Sequence, residues 1–238
     1  MLPSHLVTAT LLPISAKNAT LLLIEPYDLF TSCKFHKKRL LFFLESLRTY
    51  RDYQQQQGYE LLYEEITSRN QPKLQETVTK MMQRLVASHL ESFAIEERSL
   101  HKEIFSLCQQ KKWSYSVYQN PLFLSSKQDY EANFAKKKVL RLRPFYEKMR
   151  QQHNLLMDGD KPKGGKWSFD QENRKPLGKQ VVVPKRMAAK PSRHRNDLEK
   201  LIAKSFATHP GDTKGFWLPT SRESALTWLE DFLDNYFI

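Results

Sequence analysis

Several things that would betray a function at once are scarce in this sequence. It has two cysteines, Cys33 and Cys108, in 238 residues. Two thiols make neither a disulfide framework nor a four-cysteine metal or iron–sulfur site. They read as small buried side chains in a reducing cytoplasm. Long apolar runs are missing: LLLI (Leu21–Ile24) and LLFFL (Leu40–Leu44) fall far short of the roughly 20 residues a membrane-spanning helix needs. The opening MLPSHLVTATLLP has no basic region of the kind that starts a secretory signal. No G-x-G-x-x-G or P-loop follows any strand-like run, so the usual dinucleotide and Walker sites are not supported. No H-x-x-x-H or H-E-x-x-H spacing occurs, and no G-x-S-x-G elbow, which removes the common metal-hydrolase and serine-hydrolase patterns. The sequence thus names no metal ligands and no catalytic residue.

What is present is a core-forming composition and a localised charge. Hydrophobic residues make up 40% and aromatics 12%, enough for a packed interior. The net charge is +12, and it is not spread evenly. Residues 136–196 hold 18 Lys/Arg against 5 Asp/Glu, while the rest holds 20 against 21. A neutral body therefore carries one strongly basic segment. Concentrated positive charge suits a polyanion, because each phosphate contact releases condensed counterions; the plainer alternative is a solvated linker.

The first 120 residues alternate between two periods. TLLLIE (Thr20–Glu25) reads as a buried strand. A helix is expected over about 34–55, its stripe being Leu40, Phe43, Leu44, Leu47 and Tyr50, with Gly58 ending it. YELLYEEI (Tyr59–Ile66) is a second strand candidate, followed after Pro72 by a helix with Leu74, Val78, Met81, Met82 and Leu85. LESFAIE (Leu90–Glu96) is a third strand. The next helix carries Leu100, Ile104, Leu107 and Cys108, and WSYSVY (Trp113–Tyr118) alternates with Trp113, Tyr115 and Val117 on one face. Strands separated by single helices imply βαβ units and a doubly wound parallel sheet over about 1–125, with ligands at the carboxyl ends of the strands.

After Ser125 the pattern changes. Helices are expected at about 127–138 and 143–156. A Gly/Pro/Lys-rich stretch over 157–191 then has little periodicity and reads as a functional loop or a linker. Helix returns at about 196–206 and 221–236, the last signed by a Thr220/Glu223 capping box. Both chain ends read as cut, with more chain expected beyond Ile238. The loop GGKWSFDQENRKP (Gly164–Pro176) sets Trp167 and Phe169 two apart among alternating charges. Those rings suit stacking on bases, or plugging a groove between domains. His36, beside Lys37 and Lys38, suits either a phosphate at a helix start or the polar surface of that helix.

LLMDGDKPKGGKWSFDQENRKP (Leu155–Pro176) resembles the signature of the photolyase-related family, the iron–sulfur bacterial cryptochromes and prokaryotic (6-4) photolyases. The family pattern is L-L-M-x-G-x-x-P-x-G-G-x-W-N-F-D-x-E-N-R-x-P, and this chain departs at Ser168, where Asn is usual. FYEKMR (Phe145–Arg150), FHKKRLLFF (Phe35–Phe43) and GFWLPTSRESALTWLEDFLDN (Gly215–Asn235) extend the resemblance. It covers nearly the whole chain but only the first half of a family member.

The resemblance implies a Rossmann-like antenna domain (1–125), short helices and a basic interdomain linker (126–195), and the first helices of a flavin-binding all-helical half (196–238). FAD, a four-iron cluster and the catalytic residues would lie outside this chain, so it would not repair alone. The family repairs UV-damaged DNA, as (6-4) photoproducts, with light and reduced flavin, or signals. A ribolumazine-type antenna chromophore would lie against Ile24, Glu25, Leu29 and Phe43, near a turn where the family's G-D-Q-L is replaced by Pro3, Ser4, His5 and Leu6. Leu29 stands where many members carry a second carboxylate. Trp167, Phe169, Asp170, Glu172, Asn173 and Arg174 would strap the two halves together. Lys175, Lys179, Lys185 and Arg186 would reach DNA phosphates. The implied partners are UV-damaged DNA and a separately encoded C-terminal half. The rival reading is a non-enzymatic module for a small aromatic chromophore or for nucleic acid.

Overall fold

The computed structural model describes residues 19–67, 71–135, 138–139, 141–168, 175–176, 178, 180–182 and 187–236. They form two compact units, one from residues 1–120 with 185–238 and one from 121–184.

The larger unit opens with β1 (Leu21–Ile24), followed by a short helix, α1 (Tyr27–Thr31), that periodicity did not reveal. Next come α2 (Lys37–Gln56), β2 (Leu61–Glu64), α3 (Leu74–Arg84), β3 (His89–Phe93), α4 (Arg98–Lys111) and β4 (Ser114–Tyr118). The helices start where side chains meet free backbone N–H groups. His36 Nδ1 accepts from Lys38 N at 3.1 Å to begin α2. Asp28, reaching across from α1, accepts from Leu74 N at 3.2 Å to begin α3. Glu97 accepts from Leu100 N at 2.6 Å to begin α4, and the Ser99 hydroxyl's hydrogen bond, with that from Leu100 N, holds its carboxyl below the usual range. Gly58, at φ +81, turns the chain out of α2 as expected.

The strands pair in parallel, β1 with β2 and β3 with β4. Among the described residues no ladder joins the two pairs, so the expected single doubly wound sheet is observed as two short parallel sheets. Strands of four and five residues offer few ladder bonds to extend a sheet. Packing still unites the pairs. Leu22 and Ile24 of β1, Leu90 of β3 and Tyr115 of β4 all lie against one core with Val78, Met82, Leu100, Ile104, Leu107 and Cys108. Trp113 joins that core, but Val117, expected on the same face, is exposed.

A second core gathers Phe30, Leu40, Leu41, Phe43, Leu44 and Ile66 with Leu198, Ile202 and Phe206. The last three come from α7 (Arg195–Ser205) and its C-cap, so α7 packs on α2 inside this unit. Gly211 sits at φ +73 against the His36 ring, where any Cβ would collide. The final helix, α8 (Arg222–Asn235), is capped by Ser221, whose hydroxyl accepts from Ser224 N at 3.1 Å. The expected box was one residue earlier; Ser221 takes the extended conformation a cap requires. Cys33 is exposed, contrary to its expected burial, while Cys108 is buried.

The smaller unit holds α5 (Lys127–Phe134), α6 (Leu142–Gln152) and a hairpin, β5 (Met157–Asp158) with β6 (Lys161–Pro162), not foreseen from the sequence. Both helices end earlier than expected. Past Gln152, Asn154 and Leu156 take positive φ, which stops α6 and starts the hairpin.

Candidate functional site at the end of the first strand

β1 ends by sending Glu25 into the interior, where its side chain has no exposure. A buried carboxylate is tolerable only when its lone pairs are filled. Arg48 of α2 supplies two bonds, Nε to Oε1 at 2.6 Å and Nη2 to Oε2 at 3.1 Å. Ile66 N donates to Oε2 at 2.8 Å, and the Tyr63 hydroxyl donates to Oε1. Four donors thus converge on one carboxylate. Burial and the adjacent Glu25 anion push the Tyr63 phenol far above its usual range. Burial opposes the charge on Arg48, but the hydrogen bond to Glu25 together with the attraction of the Glu25 charge outweighs that and holds the guanidinium above its ordinary value.

The network continues along α2. Arg48 and Arg51 both approach Glu65, at 3.8 and 4.0 Å, and Arg51 bonds Asp52 at 2.7 Å. Asp52 receives His194 Nε2 at 2.5 Å and Arg193 Nη2 at 2.9 Å. About two turns back, the unexposed Glu45 accepts from Arg195 Nε at 2.6 Å and Ser192 N at 2.9 Å. Positions 45, 48 and 52 share one ridge of α2 at helical spacing. The ridge therefore receives the Ser192–Arg195 turn just where α7 begins.

This ridge predicts a pH response. Burial works against ionisation of Asp52, but hydrogen bonds from Arg51 and His194 prevail and hold its carboxyl below the usual range. A depressed carboxylate contributes stability above its unfolded value, near 4, and loses it as pH falls through the folded value. Asp52→Asn should cost about 1–2 kcal/mol at pH 7, the scale of lost bonds to a charged group. The deficit should shrink below about pH 3, and denaturant titrations at both pH values measure it. An equal deficit at both would remove Asp52 ionisation from the account.

In the smaller unit the organiser is Arg150, which is buried. Its guanidinium donates to Leu155 O at 3.1 Å, Leu156 O at 2.5 Å and Trp167 O at 3.1 Å. It also lies over the Trp167 and Tyr146 rings, 5.3 and 5.5 Å from their centroids. One side chain thus fixes the end of α6, the hairpin and the start of the signature loop. The sequence signal was the Arg that closes FYEKMR, ahead of two residues with left-handed backbone.

The family described as deoxyribodipyrimidine photo-lyase-related protein matches residues 3–218. The chain belongs to this family. The (6-4) photolyase of Agrobacterium fabrum is 25% identical over 224 residues, covering 94% of this chain and 44% of that protein. This chain therefore spans less than half the length of that photolyase-related relative. An uncharacterized protein of Acanthamoeba polyphaga mimivirus is 26% identical over 193 residues, 76% of this chain and 95% of the viral protein.

The photolyase-related signature and the residues expected to serve a chromophore are divided by the structure. Ile24 and Leu29 lie against the α3–α4 core, while Phe43 is in the α2–α7 core and 3% exposed. Glu25 has its oxygens taken by the chain. Sequence reading missed Asp28, three residues on. Its Oδ2 caps α3, while Oδ1 is buried with no hydrogen-bond partner among the described residues. Of the strap residues, Trp167 is described and half-buried. Phe169, Asp170, Glu172, Asn173 and Arg174 lie outside the described residues, as do Pro3, Ser4, His5, Leu6, Lys179, Lys185 and Arg186. Lys175 is exposed. No helix among the described residues is long and apolar enough to cross a membrane.

Proposed function

We propose that the chain supplies the antenna-side half of a cytoplasmic photolyase-related protein, with light-driven chemistry on UV-damaged DNA residing in a helical flavin half. The observation that carries this reading is the family match over residues 3–218 by a chain covering 44% of a (6-4) photolyase. In this reading residues 1–125 form the antenna-type domain around a doubly wound sheet. Residues 126–195 form the basic linker, and 196–238 lead into the helical half. That half would hold the FAD and the four-iron cluster, and it could be a separately encoded chain. The strap would include Phe169, Asp170, Glu172, Asn173 and Arg174, and Lys175, Lys179, Lys185 and Arg186 would meet DNA phosphates without reading sequence.

A ribolumazine-type chromophore is the ligand this reading brings with it, at the carboxyl end of β1 where α/β sheets place their ligands. Glu25 fits there as a wall and not as a hydrogen-bond partner, since four chain donors already occupy it. The open acceptor at that end is Asp28 Oδ1, whose burial without a donor among the described residues suits a ring N–H of the ligand. Titrating the purified chain with a ribityl-lumazine and following the visible band through gel filtration tests the reading. Retention is expected, with affinity at least tenfold lower in Asp28→Ala. A chain that elutes with protein absorbance alone refutes the antenna role.

A further inference from the structure

The final helix, α8, turns its apolar side away from the unit that carries it. Its half-buried residues are Ser224, Trp228 and Asp231, four and three apart, and Trp228 packs on Trp217 with ring centroids at 5.2 Å. That row is the side α8 rests on. Leu226, Leu229 and Leu233 fall on nearly the opposite side by helical spacing, and they are 42, 51 and 44% exposed. Tyr236, at the C-cap, continues their row at 47%. The Phe232 ring, itself 48% exposed, flanks Tyr236 with centroids at 6.4 Å. Along one border of this stripe stand three carboxylates, Glu223, Glu230 and Asp234, all exposed and none in an ion pair among the described residues. They are seven and four residues apart, so they share one line of the helix.

A contiguous apolar stripe rimmed by charge marks an interaction surface, and the charge says what covers it. The chain as a whole carries +12, yet α8 holds Glu223, Glu230, Asp231 and Asp234 against Arg222 alone. We infer that α8 docks an amphipathic helix of another protein. That helix would lay a leucine-type seam along Leu226, Leu229 and Leu233 and set Lys or Arg against Glu223, Glu230 and Asp234. Flanking charge pairs of this kind decide which helix is accepted and in which direction it runs. A second copy of this chain fits worse, because antiparallel pairing of two α8 helices would set one carboxylate row against the other. An anionic lipid surface fits worse still, since helices that lie on such membranes carry Lys and Arg on their polar face. The inference stands on α8 alone and needs neither flavin nor chromophore.

The test uses the full chain and a fluorescein-labelled synthetic helix of about 18 residues, long enough to form alone, with leucines along its seam and lysines on both flanks. A second peptide carries glutamates in place of the lysines. Anisotropy should show the lysine peptide binding and the glutamate peptide about tenfold weaker. Leu229→Gln with Leu233→Gln should weaken the lysine peptide about tenfold or more, because the buried seam supplies most of the affinity. Glu230→Lys with Asp234→Lys should reverse the preference, so that the glutamate peptide binds better. All four side chains are exposed, and circular dichroism confirms that each variant is folded. The reversal is read independently of the leucine variant. The inference is overturned if neither peptide binds, if the two bind alike, if the leucine variant keeps full affinity, or if the charge exchange leaves the preference unchanged. Sedimentation of the chain alone tests the second copy: a dimer that the leucine variant abolishes would overturn the inference in favour of self-association. A chain that fails here but retains a lumazine leaves the antenna reading intact, and the converse holds.

Discussion

Glu25→Gln should unfold this protein at markedly lower denaturant concentration, with a loss of about 3–5 kcal/mol, the range for breaking a buried ion pair from one side. The substitution keeps size and shape but removes the charge that Arg48, Tyr63 and Ile66 N are aimed at. Arg48 would then be a buried cation with the 47%-exposed Glu65 at 3.8 Å as its nearest remaining carboxylate among the described residues. Total stability for a domain of this size is about 5–15 kcal/mol, so the loss takes a large share of it. Arg48→Gln should cost a similar amount, and the double variant should cost less than the two together, because each single change already strands the other partner. Strict additivity would mean that the two side chains act independently, and a loss below about 1 kcal/mol for Glu25→Gln would show that the network is not a keystone.

The second large effect is expected at Phe206. It is 1% exposed, tilts against Tyr27 at 5.3 Å and meets His209 edge-on at 5.2 Å. Removing a ring from such a site costs about 3–5 kcal/mol, as transfer energy plus an unfilled cavity. Phe206→Ala should therefore release the end of α7 from α2, while Ile202→Val, deleting one methylene beside it, should cost only about 1 kcal/mol. Denaturant midpoints give both values, and hydrogen exchange along 195–205 reports whether α7 opens separately from the rest. A loss below about 1 kcal/mol at Phe206 would mean that the ionic turn at Ser192–Arg195, and not the apolar core, holds the helix.

The elements with strong periodicity are legible in the amino-acid sequence alone. Leu40, Phe43, Leu44 and Leu47 are all buried as the α2 stripe requires, and Val78, Met82, Leu100, Ile104, Leu107 and Cys108 meet in one core. What escapes has physical reasons. A five-residue helix such as α1 completes too few turns to show a period, and a two-residue strand such as β5 shows none. α7 has a visible stripe, but nothing in a stripe says which surface it meets. Its partner is fixed by Glu45 and Asp52, 150 and 142 residues away from the Arg195 and His194 they bind. Glu25 stands out in sequence as a carboxylate ending a strand. Whether it faces a ligand or the chain depends on Arg48 and Tyr63 arriving from elsewhere, which a strand pattern cannot encode. Asp28 has no signal at all beyond being acidic in a first turn.

The docking of α7 has one more consequence. Residues 121–184 leave the larger unit and the chain then returns to it, so the smaller unit hangs from the body by two strands of polypeptide rather than one. The order of the chain therefore differs from the order of packing. If the backbone were cut at Val182, which is 87% exposed, the C-terminal fragment would still be held through Leu198, Ile202 and Phe206. The protein is in that sense already divided into two complementing fragments, with peptide bonds still joining them.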